Sequence, residues 1–327
     1  MSKLLAAIAI CVTAASATAE TPMAISHRIA GPDGGWDYSS IDAAGNRLFV
    51  ARSNGVMTVD LATGAVVPLL VAATRTHAAF AIAGTKLGVV TSTASGGVLI
   101  YDATTGAVAA DIKTGPKPDA AIYDPGSKTL YVMDNANGTV ALIDPATAKL
   151  VGTIAVGGAL ESAALDGHGH LFVNVEDKNE LAMIDIASRK VVRRTALTGC
   201  EAPNGLAYTE RGVLIASCTN GVAKTVDARS GKLLADIVIG PRPDAVLYDA
   251  KRHRAYIPSG GDGMLTVIDT SVGAKAIGKV ATQRGSRNGA VDPATGNVYL
   301  PAVRYAEGDT GKPKPLPGSF EILVVTP

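Results

Sequence analysis

Pro118-Asp119-Ala120-Ala121-Ile122-Tyr123-Asp124 opens a unit that the chain repeats. A polar residue leads a short apolar run that usually ends at Asp. The pattern appears earlier as Trp36-Asp37-Tyr38-Ser39-Ser40-Ile41-Asp42 and Thr76-His77-Ala78-Ala79-Phe80. It returns as Leu160-Glu161-Ser162-Ala163-Ala164-Leu165-Asp166 and Pro203-Asn204-Gly205-Leu206-Ala207-Tyr208. The last two copies are Pro243-Asp244-Ala245-Val246-Leu247-Tyr248-Asp249 and Arg287-Asn288-Gly289-Ala290-Val291-Asp292. The leading positions 37, 77, 119, 161, 204, 244 and 287 are spaced by 40, 42, 42, 43, 40 and 43 residues. A near-constant period of this length is the mark of a repeat architecture.

Each repeat also has a second landmark. Asp60, Asp102, Asp144, Asp185, Asp227 and Asp269 each end an apolar strand and precede a turn residue such as Thr63-Gly64 or Ser230-Gly231. A carboxylate that caps a turn beside a Gly tolerant of positive φ is hairpin chemistry, so these Asp residues are read as structural. Within a repeat the apolar period is two, as in Leu130-Tyr131-Val132-Met133, Val140-Ala141-Leu142-Ile143 and Leu150-Val151-Gly152-Thr153-Ile154. Asn54-Gly55, Asn137-Gly138, Asn220-Gly221 and Asp262-Gly263 favour tight hairpins between such strands. Four short strands per repeat predict an all-β fold, a seven-bladed β-propeller with four-stranded blades.

The two ends of the chain complete the count. Ala24-Ile25-Ser26-His27-Arg28-Ile29 is a lone strand before the first repeat, and Phe320-Glu321-Ile322-Leu323-Val324-Val325 matches the third strand of a blade that lacks a fourth. The N-terminal strand is therefore expected to supply the outer strand of the last blade, which leaves no half-built blade whose open edges could associate. A long insertion from Val303 to Gly318, containing Lys312-Pro313-Lys314-Pro315-Leu316-Pro317, reads as a surface loop on blade 7.

Lys3 precedes Leu4-Leu5-Ala6-Ala7-Ile8-Ala9-Ile10-Cys11-Val12, and Ala17-Thr18-Ala19 follows. That order fits a secretory signal peptide over residues 1–19 and a single propeller domain over 20–327. Ile10 before Cys11 does not suit lipidation, and no second apolar run reaches spanning length. The expected location is the bacterial periplasm. In an oxidising compartment Cys200 and Cys218 read first as a disulfide, with free thiols and metal or redox use as the alternatives. The net charge of +1 and the absence of long single-sign runs argue against nucleic-acid binding. The single Trp, Trp36, argues against propellers built around one Trp per repeat, such as WD and quinoprotein repeats.

The repeats resemble the YVTN type of the YncE-like β-propellers, which are exported seven-bladed proteins. The resemblance rests on Gly34-Gly35-Trp36-Asp37-Tyr38, on Lys117-Pro118-Asp119 and Arg242-Pro243-Asp244, and on Cys200-Glu201-Ala202-Pro203-Asn204-Gly205-Leu206-Ala207. Ala281-Thr282-Gln283-Arg284-Gly285-Ser286-Arg287 and Pro317-Gly318-Ser319-Phe320 complete it. It covers nearly all of the chain after residue 19 and implies the fold. It implies no single activity, because relatives of this kind occur beside quinoprotein and cytochrome systems and DNA binding is open among them.

First strands of propeller blades line the central channel, so the leading residues are expected to form one ring at its mouth: Asp37, His77, Asp119, Glu161, Asn204, Asp244 and Arg287. Four carboxylates brought together raise one another's pKa unless a cation or an arginine compensates. Oxygen donors with Asn suit Ca²⁺, and His77 moves the set toward a transition metal. Pro203-Asn204-Gly205 is similar to a segment of the six-bladed gluconolactonase and senescence-marker lactonases, which hold a divalent cation on Glu, Asn and Asp. In that hydrolase reading Glu161, Asn204 and Asp244 hold the metal, with Asp37, Asp119 or His77 as general base. The preferred reading is a non-catalytic platform that binds a small molecule, a metal or a periplasmic protein on the same ring. Trp36 is either a stacking face beside Asp37 or a core residue. Asp166-Gly167-His168-Gly169-His170 falls on a turn of the far face, and Asn174, Glu176, Asp177 and Lys178 are possible extensions of the ring. No G-x-S-x-G elbow, phosphate loop, H-E-x-x-H or C-x-x-C-H occurs.

Overall fold

In the computed structural model, residues 23–306 and 314–327 are described, and they form seven four-stranded antiparallel sheets. The expected signal segment, 1–19, and part of the blade 7 insertion lie outside the described residues. Blade 1 runs from Trp36–Asp42 through Arg47–Arg52 and Gly55–Asp60 to Val66–Ala72. Blades 2 to 6 repeat that order of strands. Blade 7 joins Ala290–Val291, Val298–Ala302 and Glu321–Thr326 to the N-terminal strand Ala24–Ala30. The closing pair is antiparallel, with Ala24 opposite Thr326 and Ala30 opposite Glu321. Seven blades and their closure are thus as the repeat count predicts.

The burial pattern explains the sequence period. Second and third strands are buried along almost their whole length, for example Leu48 to Arg52 and Gly55 to Val59. Fourth strands alternate between exposed and half-buried, as in Lys190–Ala196. The core is divided among the interfaces between neighbouring blades. Tyr131, Met133 and Leu142 of blade 3 pack on Leu160, Leu171 and Val173 of blade 4. Phe49 of blade 1 packs with Val90 and Tyr101 of blade 2. Each blade buries one face against each neighbour, so the stabilising area exists only in the assembled ring.

The repeated Asp residues are turn caps. Asp60 accepts from the Ala62 and Thr63 amides at 3.0 and 2.8 Å, and Asp102 does the same with Thr104 and Thr105 at 2.9 and 2.8 Å. The Thr63 hydroxyl at 2.8 Å and then these amides hold Asp60 below the ordinary carboxyl range, and the Thr105 and Thr104 amides with the Thr105 hydroxyl do the same for Asp102.

The ring is fastened where its ends meet. Asp33 accepts from the Gly318 and Phe320 amides at 2.6 and 3.4 Å. Arg52, 2 % exposed, lies 3.7 Å from the centroid of the Phe320 ring and donates to the carbonyls of Pro32, Gly34 and Gly35. Trp36 meets the same ring edge-on, with centroids 5.6 Å apart. Phe320 is 1 % exposed and sits in the cluster that joins blades 7 and 1. Cys200 and Cys218 form a disulfide within blade 5 that encloses a separation of 18 residues.

Two predictions follow from these fasteners. Phe320→Ala, removing a fully buried ring, is expected to cost about 3–5 kcal/mol in urea unfolding. A loss below about 1 kcal/mol would show that the closure does not depend on it. Reducing the Cys200–Cys218 bond is expected to cost about 3 kcal/mol, from the entropy of a loop of this length. Alkylation of two thiols in the unreduced, unfolded protein would show that the bond is absent.

Candidate functional site

First strands surround the channel, and five of them share an irregularity at the ring position. The register slips between Trp36 and Ser39, Thr76 and Ala79, Pro118 and Ala121, Leu160 and Ala163, and Pro203 and Leu206. Each slip is a β-bulge carrying one extra residue, which bends the strand and re-aims the side chain at its head. The backbone groups freed by bulges are held by buried polar side chains. Thr91 Oγ1 accepts from the Ala78 amide and donates to the Asp119 carbonyl, both at 2.9 Å. Asn174 Nδ2 donates to the carbonyls of Asn204 and Gly205 at 3.0 and 3.1 Å. Asn174 is therefore a strand residue whose Nδ2 holds the backbone of the next blade, while its buried Oδ1 has no hydrogen-bond partner.

Six of the seven leading residues take part in side-chain hydrogen bonds or ion pairs; Asn204 is not among them. His77 Nδ1 lies 2.7 Å from Asp37 Oδ2 and 3.7 Å from Asp119 Oδ1, while Nε2 lies 2.9 Å from Thr93 Oγ1. Arg287 Nε donates to Asp244 Oδ2 at 2.8 Å. Asn288 Nδ2 lies 3.3 Å from Asp37 Oδ1 and 3.4 Å from Asp244 Oδ2, linking the two carboxylates. Lys117 Nζ is 3.8 Å from Asp119 and donates to Asn135 Oδ1 at 2.9 Å, and Asn135 Nδ2 donates to Glu161 Oε1 at 2.9 Å. Asn204 is 7 % exposed, and its Oδ1 has no hydrogen-bond partner. Trp36 takes the core position, against Phe320.

Asn288, Lys117, Asn135 and Thr93 escape a reading based on one leading residue per repeat. Asn288 follows the leading Arg287 directly and precedes the short first strand of blade 7, Ala290–Val291. Lys117 stands two residues before its leading Asp119, a spacing that the sequence displays without marking it as functional. The Asp166–His170 tract closes on itself. Asp166 accepts from the His168 and His170 amides and meets His170 Nδ1 at 2.7 Å, as a turn of the opposite face requires.

The mouth concentrates negative charge in a half-buried space. Burial, with the fields of Asp37 and Asp244, raises Asp119 to about 6 against the opposing pull of His77 and Lys117. Burial and the fields of Asp119, Glu176 and Asp244 raise Glu161 to about 9. Burial and Asp37 raise Asp244 to about 6, although Arg287 and Asn288 work the other way. Burial opposes the charge on His77, but the Asp37 hydrogen bond and the Asp119 and Asp37 carboxylates outweigh it, so the imidazole binds its proton more tightly. Among the described residues, donor atoms of Asp37, His77 and Asp119 lie within 4.8 Å of one another, in the manner of a metal centre.

Below the ring the character changes. A cavity of about 490 Å³ follows the channel, walled by small and apolar groups that include Ala79, Ala121, Ile122, Leu206 and Val246. Tyr38 stands between the two environments, its hydroxyl receiving a 3.3 Å hydrogen bond from Ser162 Oγ. Burial and then the four carboxylates of the mouth raise its pKa well above the usual tyrosine value.

The family model described as outer membrane protein assembly factor BamB, PQQ_2, matches residues 94–300. The chain belongs to this family. The matched span contains no Trp, so the scarcity of Trp was not a sound reason to set quinoprotein-type repeats aside. What repeats here is strand alternation and turn caps rather than an aromatic. No curated protein sequence matches the chain. A chain in the crystal structure of a mitotic checkpoint complex is similar, with TM-score 0.77 and 13% identity over 99% of both chains. A chain of Kuenenia stuttgartiensis hydrazine synthase gives TM-score 0.73 at 18% identity, over 83% of this chain and 93% of that one. Likeness at such identity speaks for the propeller fold alone. Among the described residues no helix is long and apolar enough to cross a membrane.

The raised carboxyls set a pH dependence. Asp119, Asp244 and Glu161 bind protons more tightly folded than unfolded. Stability is therefore expected to fall as pH rises from the unfolded carboxyl values near 4. The decline passes through about 6 for Asp119 and Asp244 and about 9 for Glu161. His77 acts in the same direction, since its raised pKa gives stability that is lost as the imidazole deprotonates. Thermal melts in chelator should show Tm falling between pH 5 and 9, with Glu161→Gln flattening the upper half. An unchanged profile in Glu161→Gln would refute this origin.

Proposed function

We propose that this is an exported, non-catalytic β-propeller that binds a divalent cation at the mouth of its channel. The observation that carries the reading is the convergence of Asp37, His77 and Asp119 donors within 4.8 Å. The mixed nitrogen and oxygen set favours a transition metal over Ca²⁺. The raised Asp119, Asp244 and Glu161 carboxyls support it, because an added cation relieves the repulsion behind those shifts. Export to the periplasm is supported by the Cys200–Cys218 disulfide. Membership of a family described as an outer membrane protein assembly factor adds a periplasmic protein partner as an expectation. Within that family the chain is read as YncE-like on its mouth and closure motifs.

A metal-dependent hydrolase is the second reading. It rests on the buried Asn204 Oδ1, a carbonyl oxygen without a donor that a cation held with Glu161 and Asp244 would satisfy.

Titration of the chelator-treated protein with Zn²⁺, Mn²⁺ and Ca²⁺ by calorimetry tests both. One equivalent is expected to bind, more tightly at pH 8 than at pH 6, because binding displaces protons from His77 and the carboxyls. Asp37→Asn with Asp119→Asn should weaken it by about 100-fold or more. Unaltered affinity in that variant, with loss in Glu161→Gln and Asn204→Ala, would shift the metal to the hydrolase set. No binding by any of the three ions would remove both readings.

A further inference from the structure

Beside Asp244 lies a second, smaller pocket lined by arginines. It occupies about 160 Å³ between blades 6 and 7, lined by Arg242, Arg284, Arg287, Tyr305, Gly260 and Gly285. The backbone beneath the arginines is tied across three blades. The Arg242 amide donates to the Thr219 carbonyl at 2.9 Å, the Gly260 amide to the Arg242 carbonyl at 3.0 Å, and the Gly285 amide to the Gly260 carbonyl at 2.8 Å. The three guanidinium stems therefore start from fixed points. The glycines are matched to the crowding. A Cβ at Gly285 would lie 2.6 Å from the Tyr305 hydroxyl, and one at Gly260 would lie 3.1 Å from Arg287 Cβ.

Charge makes the arrangement informative. Arg287 is paired with Asp244. Among the described residues neither Arg242 nor Arg284 has a carboxylate partner within 4.0 Å. Arg242 and Arg284 are exposed, so an anion entering the pocket would meet two guanidinium groups that no described carboxylate already holds. Planar guanidinium forks are suited to bidentate contacts with carboxylate and phosphate oxygens. The volume admits one such group, and a whole drug-sized ligand needs roughly 300 Å³ or more.

We propose that this pocket is an anion subsite that receives a phosphate or carboxylate group of a small ligand. The subsite stands on its own arginines and does not require the cation. It is nonetheless wired to the cation centre through Arg287, Asp244, Asn288 and Asp37 in sequence. A ligand seated here holds its anionic end on blades 6 and 7, with the rest of the molecule over the mouth.

Calorimetric titration of the full chain with inorganic phosphate and, separately, with succinate tests the proposal, at matched ionic strength with chloride as the reference salt. Saturable binding of one equivalent is expected for at least one of them, and the tighter of the two identifies the group. Arg242→Ala with Arg284→Ala should weaken it by about tenfold or more, as expected for loss of charge-assisted hydrogen bonds. The fold should survive, because Ala202 already occupies the blade 5 position that matches Arg242, with φ 46°, and Arg284 is exposed. Arg211→Ala with Arg229→Ala removes the same charge from turns of the opposite face and should leave binding unchanged. Zn²⁺ affinity in Arg242→Ala/Arg284→Ala should also be unchanged, which separates this subsite from the cation centre. Equal weakening by the two arginine pairs, or no saturable binding of either anion, overturns the proposal.

Discussion

Everything in this molecule depends on closing a ring. Each blade covers one face of the next, so the first and last blades must also meet, or two apolar faces and two sheet edges stay open. Pairing of Ala24–Ala30 with Glu321–Thr326 supplies the missing strand. The clasp of Asp33, Arg52 and Trp36 around Gly318-Ser319-Phe320 then sets the angle at which blade 7 meets blade 1. A buried Arg is costly unless its donors are satisfied, and Arg52 spends its own on three carbonyls of the Pro32–Gly35 turn. The same turn leads directly into Asp37, so the joint that closes the ring also places a residue of the mouth.

Closure creates the electrostatics of that mouth. Residues far apart in sequence, such as Asp37 and Asp244, become neighbours through Asn288. Each carboxylate alone on a strand end would be an ordinary solvated acid. Assembled, they share a partly dry space, and Asp119, Glu161 and Asp244 all hold their protons to higher pH. His77 and Lys117 stand on the blade 2 and 3 side, and three arginines stand on the blade 6 and 7 side. Cations and carboxylates therefore alternate around the face, with an apolar channel behind it and Tyr38 between the two.

The bulges at the heads of the first strands connect local structure to this arrangement. A regular strand would alternate its side chains between the two neighbouring blades. One extra residue at the ring position breaks the alternation and turns a polar group toward the channel. The cost is an irregular backbone inside the protein, and Thr91 and Asn174 meet it with hydrogen bonds to the adjacent blade. Buried polar residues in the second strands thus serve the mouth without belonging to it.

Repeat spacing, period-two alternation and turn chemistry are local properties, and they were enough to determine seven blades and the terminal strand exchange, and to single out the leading residue of each blade. They are legible because a blade's pattern must be written out afresh in each repeat. The Cys200–Cys218 pair was legible for a similar reason, since both residues flank one hairpin. Which mouth residues touch could not be read, because their contacts cross 40 to 251 residues of sequence, as in His77 with Asp37 and Asn288 with Asp37. Nor could the position of Trp36, which depends on Phe320 arriving from the other end of the chain. The mouth's protonation, the arginine pocket beside it and the apolar channel beneath it are properties of the closed ring. Charge interaction and burial depend on distance in space, and only the tertiary structure sets that distance.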